Sequence, residues 1–170
     1  SGNNQVTLYW DRVAEESLDP VTKEKDFQGY KIYRATDPNF NDVRNITDAN
    51  GLIQGYSTLQ QFDKDDDING YFYPSKNLFQ DTKGYTFFLG DDTGLVHSYI
   101  DRDVQNGRTY YYALVAYDHG NEEKDIFPSE NSKFISVLPS GEIVTDQNTA
   151  FVIPSSASAG YSLNDTIPLI

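Results

Sequence analysis

The sequence contains no cysteine and no methionine. Without cysteine there is no disulfide framework, no thiol nucleophile and no thiolate metal site. Without methionine the chain as given does not open at an initiator residue, which points to a processed form or an excised piece. The two absences together fit a secreted bacterial surface protein. Basic residues are scarce as well: 13 Lys and Arg face 26 Asp and Glu, a formal charge of -13. A nucleic-acid binder displaces counterions from phosphates with basic side chains, and this chain has the opposite field. Anionic lipid is disfavoured for the same reason. No apolar run approaches the ~18 residues of a membrane span, and no basic-then-apolar leader opens the chain. Neither nucleic-acid binding nor membrane insertion is expected.

Aromatic residues are plentiful, with 13 Tyr and 10 Phe. A disordered acidic chain is poor in aromatics, so this one folds. Its 170 residues suit one domain with generous insertions or two very small ones.

Short alternating apolar runs separated by turn residues dominate, and no dozen residues hold a clean helical period. Val6, Leu8 and Trp10 share one face of a first strand, and Tyr30 and Ile32 one face of a second. Leu95 to Ile100 reads as a strand, and Ser132 to Leu138 is the last clear one before Pro139-Ser140-Gly141. The strongest runs from Thr109 to Tyr117, after an Asn106-Gly107 turn. Both of its faces are apolar or aromatic, so it needs a cover on each side. One cover is a facing sheet. The other is expected from residues 36–94, where Tyr71-Phe72-Tyr73 and Tyr85 to Leu89 can pair as a hairpin around the loop 74–84. The Ser/Ala/Gly/Asn-rich segment 139–170 reads as a linker or as a docked tail, with strand-forming patches at Phe151 to Ile153 and Ile167 to Ile170.

Leu8-Tyr9-Trp10, Gly29 to Arg34, Ser98 to Asp101 leading into Val104, and Gly107 to Tyr117 together resemble a fibronectin type III domain. The resemblance covers about half of the chain. It implies an all-β, immunoglobulin-like antiparallel sandwich over residues 1–138. A large insertion, residues 36–94, would then lie between the third strand and the Tyr-rich strand. It also implies that the Tyr110 hydroxyl bonds back to the backbone at a corner. Asp26 to Tyr30 and Ala116 to Asp118, followed by Pro128 to Ser132, are similar to modules of very large secreted bacterial surface proteins. The family has a further strand about a dozen residues before its Trp strand, and here only five residues precede Val6. The edge beside the Trp strand is therefore open, or filled by the tail of this chain or of a neighbour.

The sharpest local signal is Asp63-Lys64-Asp65-Asp66-Asp67-Ile68-Asn69-Gly70. Counted from Asp65, oxygen-bearing side chains fall at positions 1, 3 and 5 with glycine at 6, as a hard cation such as Ca2+ requires. The candidate ligands are Asp63, Asp65, Asp67, Asn69 and the carbonyl of Tyr71. Position 12 is Lys76, so this is no EF-hand, and a further carboxylate must come from Asp63, Asp81, Asp91 or Asp92. A solvated acidic loop is the other reading. Two more acidic sets, Asp11 to Asp26 and Asp118 to Asp125, follow adjacent strands, and members of each set can meet at one end of a sandwich.

Enzyme signatures are sparse. His97 and His119 belong to no metal-spaced pair, and there is no G-x-S-x-G or phosphate-cradling glycine loop. Tyr71, Phe72, Tyr73, Phe79, Tyr85, Phe87 and Phe88 either stack sugar rings or cover the Tyr-rich strand. The expected function is a non-catalytic extracellular structural or adhesion module, calcium-stabilised, in a larger surface protein or a self-assembling fibre. Its partners would be neighbouring domains or subunits, joined by strand addition through the tail. The alternative is a glycan-binding module of a secreted hydrolase.

Overall fold

The computed structural model describes residues 1–19, 23–75 and 84–156. Its strands are β1 (Val6–Tyr9), β2 (Phe27–Ala35), β3 (Ile46–Thr47), β4 (Ile53–Gly55), β5 (Gln60–Asp63), β6 (Gly70–Tyr71), β7 (Phe88–Gly90), β8 (Ser98–Asp101), β9 (Tyr110–Asp118), β10 (Ile135–Val137), β11 (Ile143–Thr145) and β12 (Thr149–Val152). Two short 3-10 turns, Val13–Glu16 and Asn41–Val43, are the only helical pieces among the described residues. The chain is all-β and its strand pairs are antiparallel.

The main sheet has the order β12-β9-β2-β5. The Tyr-rich strand β9 therefore lies inside the sheet, paired to β2 from Tyr111 to Asp118. Gly29 is required on β2, because a Cβ there would lie 2.3 Å from the Phe62 carbonyl oxygen and 2.9 Å from the Asp63 Cα.

Period-two alternation sends the two faces of β9 to different covers. On one face Tyr110, Tyr112 and Leu114, with Ile32 of β2, pack under Val6, Leu8, Trp10, Tyr99 and Val104 from and around the β1–β8 ribbon. On the other face Tyr111, Ala113 and Val115 meet Phe40, Val43 and Tyr56 of the mid-chain segment, with Ile135 and Ile143 beside them. Tyr117 is covered by Phe72, Phe87 and Leu89. Residues from 36–94 thus supply much of the second cover. Each fully buried large side chain contributes roughly 1.5–3 kcal/mol of burial, so β9 and its covers form the thermodynamic centre of the body.

The mid-chain hairpin pairs as its pattern suggests: Gly70 lies opposite Gly90 and Tyr71 opposite Phe88, and the Phe72 amide donates to the Phe87 carbonyl at 2.8 Å. Pro139-Ser140-Gly141 does not end the ordered chain. Gly141, at φ +85, turns β10 into β11, closed by a bond from the Leu138 amide to the Glu142 carbonyl. β12 then pairs Thr149 with Ala113 and Val152 with Tyr110. Of the two readings of the tail, residues 149–152 take the docked one.

The layers are pinned together by buried charge. Arg34 of β2 donates from one nitrogen to both carboxylate oxygens of Asp101 on β8, at 3.0 and 2.9 Å. The Tyr112 hydroxyl of β9 donates to Asp101 Oδ2 at 2.7 Å. At the start of β9, the Gln105 amide donates to the Tyr110 hydroxyl at 2.9 Å, tying the turn to the strand.

Candidate functional sites

The acidic loop between β5 and β6 is organised by hydrogen bonds from its surroundings. Asp63, first of the candidate calcium ligands, is fully buried. Its carboxylate accepts the amides of Asp92 and Thr93 at 2.7 and 3.1 Å and the Thr93 hydroxyl at 2.6 Å. Gly90 passes so close that a Cβ would lie 2.2 Å from the Asp63 Cγ. Asp63 thus brackets the 90–93 turn to β5. Asp65, Asp67, Asn69 and Tyr71 are exposed, and Asp67 and Gly70 turn the chain at φ 64 and 76.

Asp92 is the distal carboxylate that closes onto this loop. Its Oδ1 accepts the amides of Asp66 and Asp67 at 3.2 and 3.0 Å, and its Oδ2 pairs with the Asn69 side-chain amide. From below, the buried Gln28 donates to Asp66 Oδ1 at 3.0 Å and to the Ile68 carbonyl at 3.1 Å. The structure therefore brings Asp66, Asp67, Asn69 and Asp92 together and draws Asp63 away into the β5 bracket. Asp81 and Phe79 lie outside the described residues.

A second carboxylate cluster joins the other two acidic sets. Asp19 and Asp26, from the connection between β1 and β2, and Asp118 at the end of β9 each bring one oxygen within 4.8 Å of the others. Burial holds the Asp26 carboxyl above its usual range, and the neighbouring Asp118 adds to the rise. Asp118 also caps its own turn, accepting the amides of Gly120 and Ser129 at 3.0 Å each. The strand order predicts that acidic groups from the two connections meet at one end. Which three meet depends on the 19–26 turn, and no spacing rule reveals it.

One charged cluster has no counterpart in the sequence motifs. Lys31 of β2 is buried with its ammonium 3.5 Å from the Phe87 ring centroid and 4.9 Å from that of Tyr117. Its counter-charge, Glu130 Oε2, is 3.6 Å away. Glu130 also receives the Tyr33 hydroxyl at 2.9 and 3.1 Å, and Lys133 lies 3.9 Å from it with its ammonium 3.6 Å from the Tyr56 ring centroid. Burial pulls the Lys31 ammonium down to about 8, against the pull of Glu130. The same burial, with Glu130 beside it, pushes the Tyr33 phenol up. The available signal is a lysine at an inward position of a strand that is apolar on both faces.

Both histidines are engaged locally. His97 Nε2 is 2.5 Å from Glu15 Oε1, which also accepts the Tyr30 hydroxyl at 3.2 Å. His119 Nδ1 contacts the Gly120 carbonyl at 2.7 Å. Among the mid-chain aromatics, Phe72 and Phe87 are buried, whereas Tyr71 and Tyr73 are exposed at 51% and 72%. The alternation therefore divides the cluster between a cover and a surface.

Comparison with protein-family models, with characterised proteins and with solved structures finds no match.

Proposed function

We propose that this chain is a non-catalytic structural module of the fibronectin type III kind, working outside the cell as a spacer or adhesive unit of a larger surface protein or assembly. The observation that carries this reading is the enclosure of β9: it is paired on both edges, covered on both faces and tied through Tyr112 to a buried ion pair. Such a body resists local opening, which suits a mechanical role. The Gln105-to-Tyr110 bond has the form of the corner expected from the family resemblance. Calcium is part of the proposal: Asp65, Asp67 and Asn69 with Asp92 nearby, or Asp19 with Asp26 and Asp118, offer the hard oxygen donors that such an ion takes. A cation there would offset the mutual repulsion of the carboxylates.

A second reading, glycan binding, has one observation in its favour. Tyr71 and Tyr73, two residues apart, are both exposed. Incubation with insoluble cellulose, chitin and xylan separates the two. The structural reading expects the chain in the unbound fraction with each. Retention that disappears in Tyr71→Ala with Tyr73→Ala would establish the glycan reading instead.

A further inference from the structure

The two layers of the sandwich are unequal. Four strands form the main sheet, but among the described residues only β1 and β8 lie across its face at Tyr110, Tyr112 and Leu114. β8 takes one edge of β1. The Trp10 amide donates to the His97 carbonyl at 3.1 Å, so antiparallel alternation turns the amides and carbonyls of Thr7 and Tyr9 away from β8. No strand pairs with that outer edge among the described residues. Beside it runs a groove of about 970 Å³, lined by Leu8 and Trp10 on the β1 side and by Leu114, Ala116 and Ala150 of the main sheet. Its lining holds one charged residue, Asp11, and no basic one. One carboxylate oxygen of Asp11 accepts the Val13 amide at 3.0 Å, and the other has no donor among the described residues.

An unpaired strand edge beside an apolar groove accepts one more strand, whose main chain supplies affinity and whose alternate side chains supply specificity. We infer, on the reading of the chain as an adhesive unit, that the outer edge of β1 and this groove are where it adheres. The partner is an extended segment of a different polypeptide, apolar at alternate positions and basic at the end that reaches Asp11. Charge decides between occupants. A second copy would bring a further -13 to a groove whose one charge is negative, and like charges across an interface are disfavoured. A basic segment meets a complementary field, which also speeds its encounter. Alternation is required because every second side chain of an added strand turns towards Leu8, Trp10 and Leu114 while the others face water. An antiparallel strand, the more stable pairing, starts beside Asp11 and ends near Val6. Its basic residue therefore belongs at its N-terminal end.

The probe is a phage-displayed library of random twelve-residue peptides, panned against the full chain. Enriched sequences should alternate apolar and polar residues and carry Lys or Arg near their N-terminal end. As synthetic peptides they should slow exchange of the Thr7 and Tyr9 amides at least ten-fold and shift the emission of Trp10, the lone tryptophan. Thr7→Pro removes an edge donor that the β1–β8 ladder does not use, and should weaken binding ten-fold or more. Asp11→Asn keeps the acceptor for Val13 and should weaken binding about two- to five-fold at low salt, as loss of one exposed ion pair does. Slow exchange in β9 checks that both variants are folded. Failure to enrich such sequences would overturn the inference, as would peptides that leave the Thr7 and Tyr9 amides unchanged or bind both variants as tightly as the parent. Protection of those two amides in the chain alone would overturn it as well: a second copy holds the edge if the protection fades on dilution, and the chain itself holds it if not. Ala113 and Val115, followed in the same exchange experiment, report the enclosure of β9, so a failed docking is distinguished from a failed structural reading.

Discussion

The Tyr112 hydroxyl and the Asp101 carboxylate meet across the two layers of the sandwich at 2.7 Å, with Asp101 only 1% exposed. Asp101 is also gripped by Arg34, and Arg34 reaches on to the carboxylate of Asp103 at 2.9 Å. A buried carboxylate is tolerated only when its partners are complete, and removing one leaves the charge uncompensated. Arg34→Met should therefore cost about 3 kcal/mol or more in urea unfolding. Arg34→Met with Asp101→Asn should lose about 2 kcal/mol less than the sum of the single losses. Additive losses would mean that the pair does not tie the layers.

The Tyr110 hydroxyl is the acceptor for the Gln105 amide. Tyr110→Phe keeps the ring in the core and strands that amide, at a cost of about 1–2 kcal/mol. An unchanged urea midpoint would show that the turn does not depend on this bond.

Lys31 is placed to make stability depend on pH. Its folded-state pKa, about 8, lies below the ordinary 10.5, so between these values the unfolded chain binds more protons and stability rises with pH. Below pH 8 both states are protonated, and the burial penalty, about 3 kcal/mol in order of magnitude, is fully present. Melting curves between pH 7 and 10 should show a rise in the parent that Lys31→Met largely removes, Lys133 contributing the remainder by the same sign. Parallel profiles for parent and variant would contradict the assignment.

Calcium at millimolar concentration should raise the melting temperature. With the dissociation constants of extracellular modules, a shift of about 1–6 °C is expected. Asp65→Asn with Asp67→Asn tests the β5–β6 loop, and Asp26→Asn tests the cluster with Asp19 and Asp118. Loss of the shift in one variant locates the ion, and no shift in the parent removes calcium from the proposal.

Much of the architecture is legible in the sequence because alternation encodes it. The Thr109 to Tyr117 run shows two apolar faces, and the structure provides two covers, one of them drawing Phe40, Tyr56, Phe72 and Phe87 from the mid-chain. The β6–β7 pairing follows from its aromatic runs. The β10–β11 turn is less legible, because Pro139-Ser140-Gly141 serves equally as a terminator or as a hairpin. Candidate sites are harder still. Asp-x-Asp-x-Asn-Gly spacing marks a loop, but the capture of Asp63 by Thr93 and the closure by Asp92 depend on contacts some thirty residues apart. The Lys31–Glu130 pair is a product of packing alone, since nothing near Lys31 in sequence anticipates a counter-charge from the chain after β9.

Native-state hydrogen exchange of β9 addresses the enclosure most directly. Ala113 and Val115 should be among the last amides to exchange, opening only with the free energy of global unfolding. If they exchange as fast as the amides of the 138–142 turn, the strand is not the protected interior of a two-layer body, and the structural role proposed for the chain falls with it.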